Sequence, residues 1–278
     1  MAIVTLIAIL GWGVFVGIVF SAIGAAGGIL TSFGLIELFG VLEPNSVKPM
    51  TQLVVLATAL VFVPGYLRRA NAVVPLGLLL GAGGVIGAYV GSTVSTHYLS
   101  DMTRFRPLFG LLTLAIAGQI FWKLYGPSGL PVSHAVGGKV RIVAMDVRAL
   151  AFRYGDRLYS LPVWSPFVAG AVIAMTAAIF GVGGGFLLVP FMASVLHMPM
   201  YIIPATAAIA IILSLAVSIG NFVALGATLD WGLLVPLVIG AVAGAIVGPQ
   251  INKAMKNSVL QAIMGVILIG IGLKYVLT

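Results

Sequence analysis

Long apolar runs separated by brief polar clusters organise this chain, and each cluster marks the end of a membrane-length segment. The first run covers residues 3–41 and is too long for one ordinary span; Gly24, Gly27 and Gly28 divide it into a full-length piece and a shorter one. Glu43-Pro44-Asn45 reads as a turn. A second run at 51–66 closes at Pro64, Gly65, Arg68 and Arg69. The third, at 71–94, carries Gly77, Gly81, Gly83, Gly84, Gly87 and Gly91, and glycines three and four apart make a smooth face for close helix packing. Residues 97–106 form a polar connection in which Asp101 is suited to cap the next helix, at 107–125.

After a polar stretch at 126–162 the pattern restarts with runs at 163–196, 203–225, 231–247 and 259–277. The restart is specific. Gly24-Ala25-Ala26-Gly27-Gly28 aligns with Gly181-Val182-Gly183-Gly184-Gly185, and Pro49-Met50-Thr51 with Pro204-Ala205-Thr206. Gly87 through Gly91 aligns with Gly244 through Gly248, and Phe109-Gly110 with Met264-Gly265. These matches predict a duplication: a first membrane repeat at 1–125, a polar basic connector at 126–162 with a short surface helix near 140–152, and a second membrane repeat at 163–278. Internal repeats are a common plan among secondary transporters. Each repeat has four spans if the glycine breaks are kinks, or five if they are turns. The expected fold is therefore an all-α polytopic membrane protein of two four- or five-helix repeats with glycine-broken helices, 8 to 10 segments in all. Parallel repeats follow from the first count and inverted repeats from the second.

Composition supports the membrane class. Of 278 residues 61% are hydrophobic and 7% charged, with mean hydropathy +1.21, whereas soluble domains carry about 25% charged residues. The net charge of +8 fits basic segments retained on the cytoplasmic side better than nucleic-acid binding. Localisation in a membrane follows, with the plasma membrane expected. Apolar positions begin at once after Met1, with neither a basic stretch nor a cleavage site, so the first run is read as a retained span. There is no Cys, which excludes disulfide and thiol chemistry.

Candidate chemistry centres on the breaks. A helix that starts inside a membrane has up to four N–H groups without intrahelical partners, and their partial positive charge suits an anion. Gly183, Gly184 and Gly185, and more weakly Gly27 and Gly28, would let a small oxyanion reach the backbone. Equally, the glycines could serve only close helix crossing. No Lys-Ser/Thr follows them, so a nucleotide phosphate loop is excluded. Thr51, Gln52, Thr206 and Asn221 offer neutral hydrogen bonds for a releasable ligand, or else bonds between helices. Glu37 is the carboxylate set furthest into an apolar run: a proton-coupling group, or one facing headgroup water near the turn at Glu43. Lys48 reads as an interfacial cation that could also draw anions. His97, His134 and His197 lie in separate connections without metal-ligand spacing, so neither a metal, a cofactor nor an enzyme active site is expected.

The run from Gly181 to Pro190, Gly-Val-Gly-Gly-Gly-Phe-Leu-Leu-Val-Pro, resembles the signature of the TauE/SafE sulfite exporter family, the TSUP permeases, and the resemblance covers nearly the whole chain. It implies secondary transport of a small anion, sulfite or an organosulfonate foremost, with H+ or Na+ as candidate coupling ion. The first half departs from the signature at Ala25-Ala26, at Phe33 where Pro190 aligns, and at Lys48-Pro49-Met50-Thr51-Gln52. A non-transporting membrane scaffold and an anion channel are the competing readings.

Overall fold

The computed structural model describes residues 3–23, 26–69, 72–125, 140–146, 149–155, 157–198, 202–254 and 257–277. Gly24, Ala25, His134, Lys139, Arg148, Asp156 and Lys256 lie outside them. Among the described residues ten α-helices are arranged as α1 Ile3–Ile23, α2 Gly27–Phe33, α3 Pro44–Arg69, α4 Val74–Tyr98, α5 Met102–Tyr125, α6 Trp164–Phe180, α7 Gly185–Pro190, α8 Ile203–Ala224, α9 Trp231–Ala254 and α10 Asn257–Leu277. Six contain stretches long and apolar enough to cross a membrane, in α1, α4, α5, α8, α9 and α10. This is an all-α polytopic membrane fold.

Helix boundaries differ from the pattern-based reading in two places. The supposed turn at Glu43-Pro44-Asn45 opens α3: Pro44 sits at the first helical position, where its missing N–H costs nothing, and Glu43 O accepts from Ser46 N and Val47 N at 3.1 Å. The polar connection shrinks to three residues, because α4 runs to Tyr98 and α5 starts at Met102. Asp101 does cap α5, its Oδ1 accepting from Thr103 N at 3.0 Å. Asp230 does the same for α9, accepting from Gly232 N at 2.9 Å and Leu233 N at 3.2 Å.

The connector is a sheet, not the expected surface helix. Strands β1 Val140–Met145, β2 Ala149–Tyr154 and β3 Arg157–Pro162 pair antiparallel in the order β1-β2-β3. Alternation decides it: Leu150, Phe152 and Tyr154 are buried while Arg153 between them is exposed, a period of two that no helix face satisfies. That buried row packs with Val73, Leu196, Met198 and Ile202, seating the sheet over the starts of α4 and α8.

Helix directions follow from close glycine contacts. A Cβ on Gly13 would meet Leu237 and Ala241, one on Gly17 would meet Ala241, and one on Gly244 would meet Val14 and Ile18. Contacts advance together along both chains, so α1 and α9 are parallel. Likewise Gly83 abuts Phe167 and Ala171, Gly87 abuts Ala171, and Gly91 abuts Met175, making α4 and α6 parallel. The pair α5 and α10 is antiparallel, Gly110 lying against Gly272 and Gly265 against Phe121. Thus the first helix of each half packs on a late helix of the other. One end of the bundle gathers the starts of α3, α5 and α9 with the ends of α4, α8 and α10. There Ser46 bonds Thr228 at 2.9 Å, Asn45 Nδ2 donates to Thr96 O at 3.3 Å, and Glu37 joins Arg106 and Lys274. The opposite end holds the connector sheet.

Both breaks reverse the chain. Trp12 Nε1 donates to Leu30 O at 3.2 Å and its indole lies against Gly34, while Gly27 lies against Phe20; α2 therefore runs back along α1. A π-helical turn, Gly34–Leu38, extends α2, and another, Phe191–Val195, extends α7. The seven and five residues of α2 and its π turn rise about 18 Å at 1.5 Å each, well short of the roughly 30 Å of hydrocarbon. They return to the end they came from without crossing a whole bilayer.

Ala26 holds φ 68°, left-handed without being glycine, at the position aligned with Gly183, whose φ is 78°. A Cβ there costs about 1 kcal/mol. Ala26→Gly is expected to raise the thermal midpoint in detergent, and an unchanged or lower midpoint would count against strain at this turn.

Candidate substrate site at the helix breaks

The two breaks converge. A Cβ on Gly28 would strike the carbonyl of Val182, so the first break touches the second backbone to backbone. Around this contact lies a cavity bounded by Gly27, Gly28, Gly183, Gly185, Phe20 and Val55, with free volume of about 10 Å³, the room of roughly one water molecule. The side chains facing it are apolar. Any polar group offered to a ligand here would have to come from the backbone, at the glycines 27, 28, 183 and 185 that line it.

The predicted residues divide into groups. Gly27, Gly28, Gly183 and Gly185 line this cavity. Gly184 lines a neighbouring one of about 10 Å³ with Gly84, Ile173, Ala174 and Ser214. Its φ is −80°, and a Cβ there would meet only Ile173 and Ala177 at 3.9 and 4.0 Å. Thr51 and Gln52 lie close to the breaks on α3. Thr51 Oγ1 is 3.0 Å from Ser32 Oγ of α2, and Gln52 is buried with its Oε1 unpartnered. Val55, a turn further along α3, lies against Gly183.

Thr206 and Asn221 are placed elsewhere. The Thr206 hydroxyl accepts from Val73 N at 3.0 Å and donates to Ile202 O at 2.8 Å, tying the starts of α4 and α8 together. Asn221 Nδ2 donates to Ser92 Oγ at 2.7 Å and Thr93 Oγ1 at 2.9 Å, joining α8 to α4. Neither lines either of these two cavities. Glu37 lies in the first π turn, its two oxygens engaged by Arg106 at 3.5 Å and by Lys274. It bridges α2 to the α5–α10 pair.

Lys48 departs from the interfacial reading. It is fully buried, its Nζ donating to Leu99 O at 2.7 Å, Asn45 Oδ1 at 3.2 Å and Ser95 O at 3.3 Å. Phe105 and Phe222 stand 5.2 and 6.0 Å from it. The ends of helices supply partial negative charge, and α4 ends here. The signal available in sequence is a lysine four residues past Pro44, whose Glu-Pro-Asn context reads as a turn but opens α3.

A bundle of long apolar helices with two chain-reversing breaks meeting inside it defines a multi-pass membrane transport protein. The chain matches the family model described as Sulfite exporter TauE/SafE over residues 9–275, and it belongs to that family. It is 26% identical over 271 residues to the Probable membrane transporter protein YunE of Bacillus subtilis (strain 168), covering 95% of this chain and 94% of the relative. It is 24% identical over 275 residues to a Probable membrane transporter protein of Xylella fastidiosa (strain 9a5c), covering 98% and 95%. No solved structure matches the chain. The protein is a multi-pass plasma-membrane transporter and not an enzyme.

Proposed function

We propose that this protein carries a small sulfur oxyanion, sulfite or an organosulfonate, by secondary transport through the point where the two breaks meet. The observation that carries the reading is the contact of Gly28 with Val182 beside a cavity walled by glycine backbone. Backbone N–H groups at such a centre would suit an anion that must also leave. Thr51 and Gln52 on α3 would complete the shell.

Opposite running directions of α1 and α6, of α3 and α8, of α4 and α9, and of α5 and α10 support ten segments in inverted repeats. Alternating access in such folds works around a fixed central site. Arg68 and Arg69 at the end of α3, Lys253 near the end of α9, and Arg141, Arg153 and Arg157 of the sheet occupy one end. The other carries Glu37, Glu43, Asp101 and Asp230 beside Arg104, Arg106 and Lys274. The positive-inside rule puts the sheet in the cytoplasm. Proton coupling at Glu37 would require it to release Arg106 and Lys274 on protonation.

Proteoliposomes should show saturable sulfite or sulfonate flux. Vesicles without flux of either would reject the carrier reading, and non-saturating conductive flux would favour a channel.

A further inference from the structure

Lys48 is an ionisable amine held among neutral acceptors. Among the described residues no carboxylate pairs with it. Those at its end of the bundle are engaged elsewhere: Glu37 with Arg106 and Lys274, Glu43 with Ser46, Asp101 and Asp230 as helix caps. Burying a cation without a counter-ion is costly, and ionisable groups inside membrane proteins mark function by default.

Its position links it to the second break. Gly181, at φ 72°, lies against the Cα, Cβ and Cγ of Lys48. Ser95, whose carbonyl accepts from Nζ, donates its own hydroxyl to Ile179 O at 2.5 Å, near the end of α6. Along α3, Lys48, Gln52 and Val55 stand at i, i+4 and i+7, one helix face. That face leads from the buried cation, past the unpartnered Gln52 oxygen, to the cavity between the breaks. At the aligned position of the second half stands Ile203, so the cation belongs to one side only.

Resting on the anion-carrier reading, we infer that Lys48 is the counter-charge of the transported anion. In the present arrangement carbonyl oxygens of α4 hold it. An anion arriving at the second break exchanges those neutral acceptors for a charged one, a stronger bond, and in doing so releases Ser95 and Leu99 at the end of α4. Binding is thereby tied to loosening of that end, as a ligand must favour one state over the other to shift it.

The test uses full-length protein in proteoliposomes with inorganic sulfite as probe. Lys48→Met should raise KM about tenfold or more, the span of a charged hydrogen bond, with Lys48→Arg keeping most of the affinity. Asn45→Ala weakens the neutral hold while keeping the charge, and should lower KM. Wild-type KM in folded Lys48→Met would overturn the inference and leave Lys48 as a cap of α4. If Lys48→Met does not fold, Asn45→Ala decides: an unchanged or raised KM overturns it. Absence of both sulfite and sulfonate flux in the wild type would instead overturn the carrier reading.

Discussion

Gly28→Ala is expected to abolish sulfite flux, whereas Gly184→Ala should transport nearly as the wild type does. The two glycines look equivalent in sequence, each standing inside a glycine-rich break. Their surroundings differ. A methyl group on Gly28 would overlap the Val182 carbonyl, a backbone atom that no rotamer change can move. At Gly184 the nearest groups are the side chains of Ile173 and Ala177 at 3.9 and 4.0 Å, ordinary contact distance. Forcing the breaks apart costs on the order of 3 kcal/mol and displaces the glycines that line the cavity. Initial uptake rates, normalised to folded protein by size-exclusion profile, provide the measurement. Equal flux in both variants would sink the assignment of this contact as the transport centre.

The second large effect concerns stability. Gly17→Val should lower the thermal midpoint strongly, because a Cβ at that position overlaps the Ala241 carbonyl of α9. Gly87→Val should do the same through the Ala171 carbonyl of α6. Each substitution wedges parallel helices whose backbones touch, so each costs on the order of 3 kcal/mol. Gly118→Val, where a Cβ would meet nothing within 4 Å, serves as the control. Thermal unfolding in detergent that ranks all three alike would show that the glycine faces do not hold the helix pairs.

Much of this arrangement was legible from residues alone. Apolar runs located the long helices, and Asp101 announced a cap that forms. The glycine clusters located both breaks. Which helices pair was not legible: the small-residue faces of α1, α4, α6 and α9 are chemically alike, and only folded geometry sets α1 on α9. Within the connector the length of 140–152 permits a helix, but Leu150, Phe152 and Tyr154 alternate with exposed or half-buried neighbours as a strand does. Thr206 and Asn221 carry polar groups suited to a ligand, yet neighbouring backbone and hydroxyls already use them. Lys48 could not be placed without knowing that α4 ends beside it. Conversely, the equivalence of Gly28 and Gly184 suggested by their neighbours dissolves once Val182 is seen against only one of them.

The exchange of first helices between the two halves also bears on how the chain is made. When α1 emerges from the ribosome, its glycine face has no partner, since Leu237 and Ala241 lie far downstream in α9. Gly83 and Gly87 likewise wait for Phe167 and Ala171. Early helices must therefore dwell in lipid as separate rods, and closure of the bundle awaits α6 and α9. Two separately expressed halves should then recover a stable protein only when present in the same membrane.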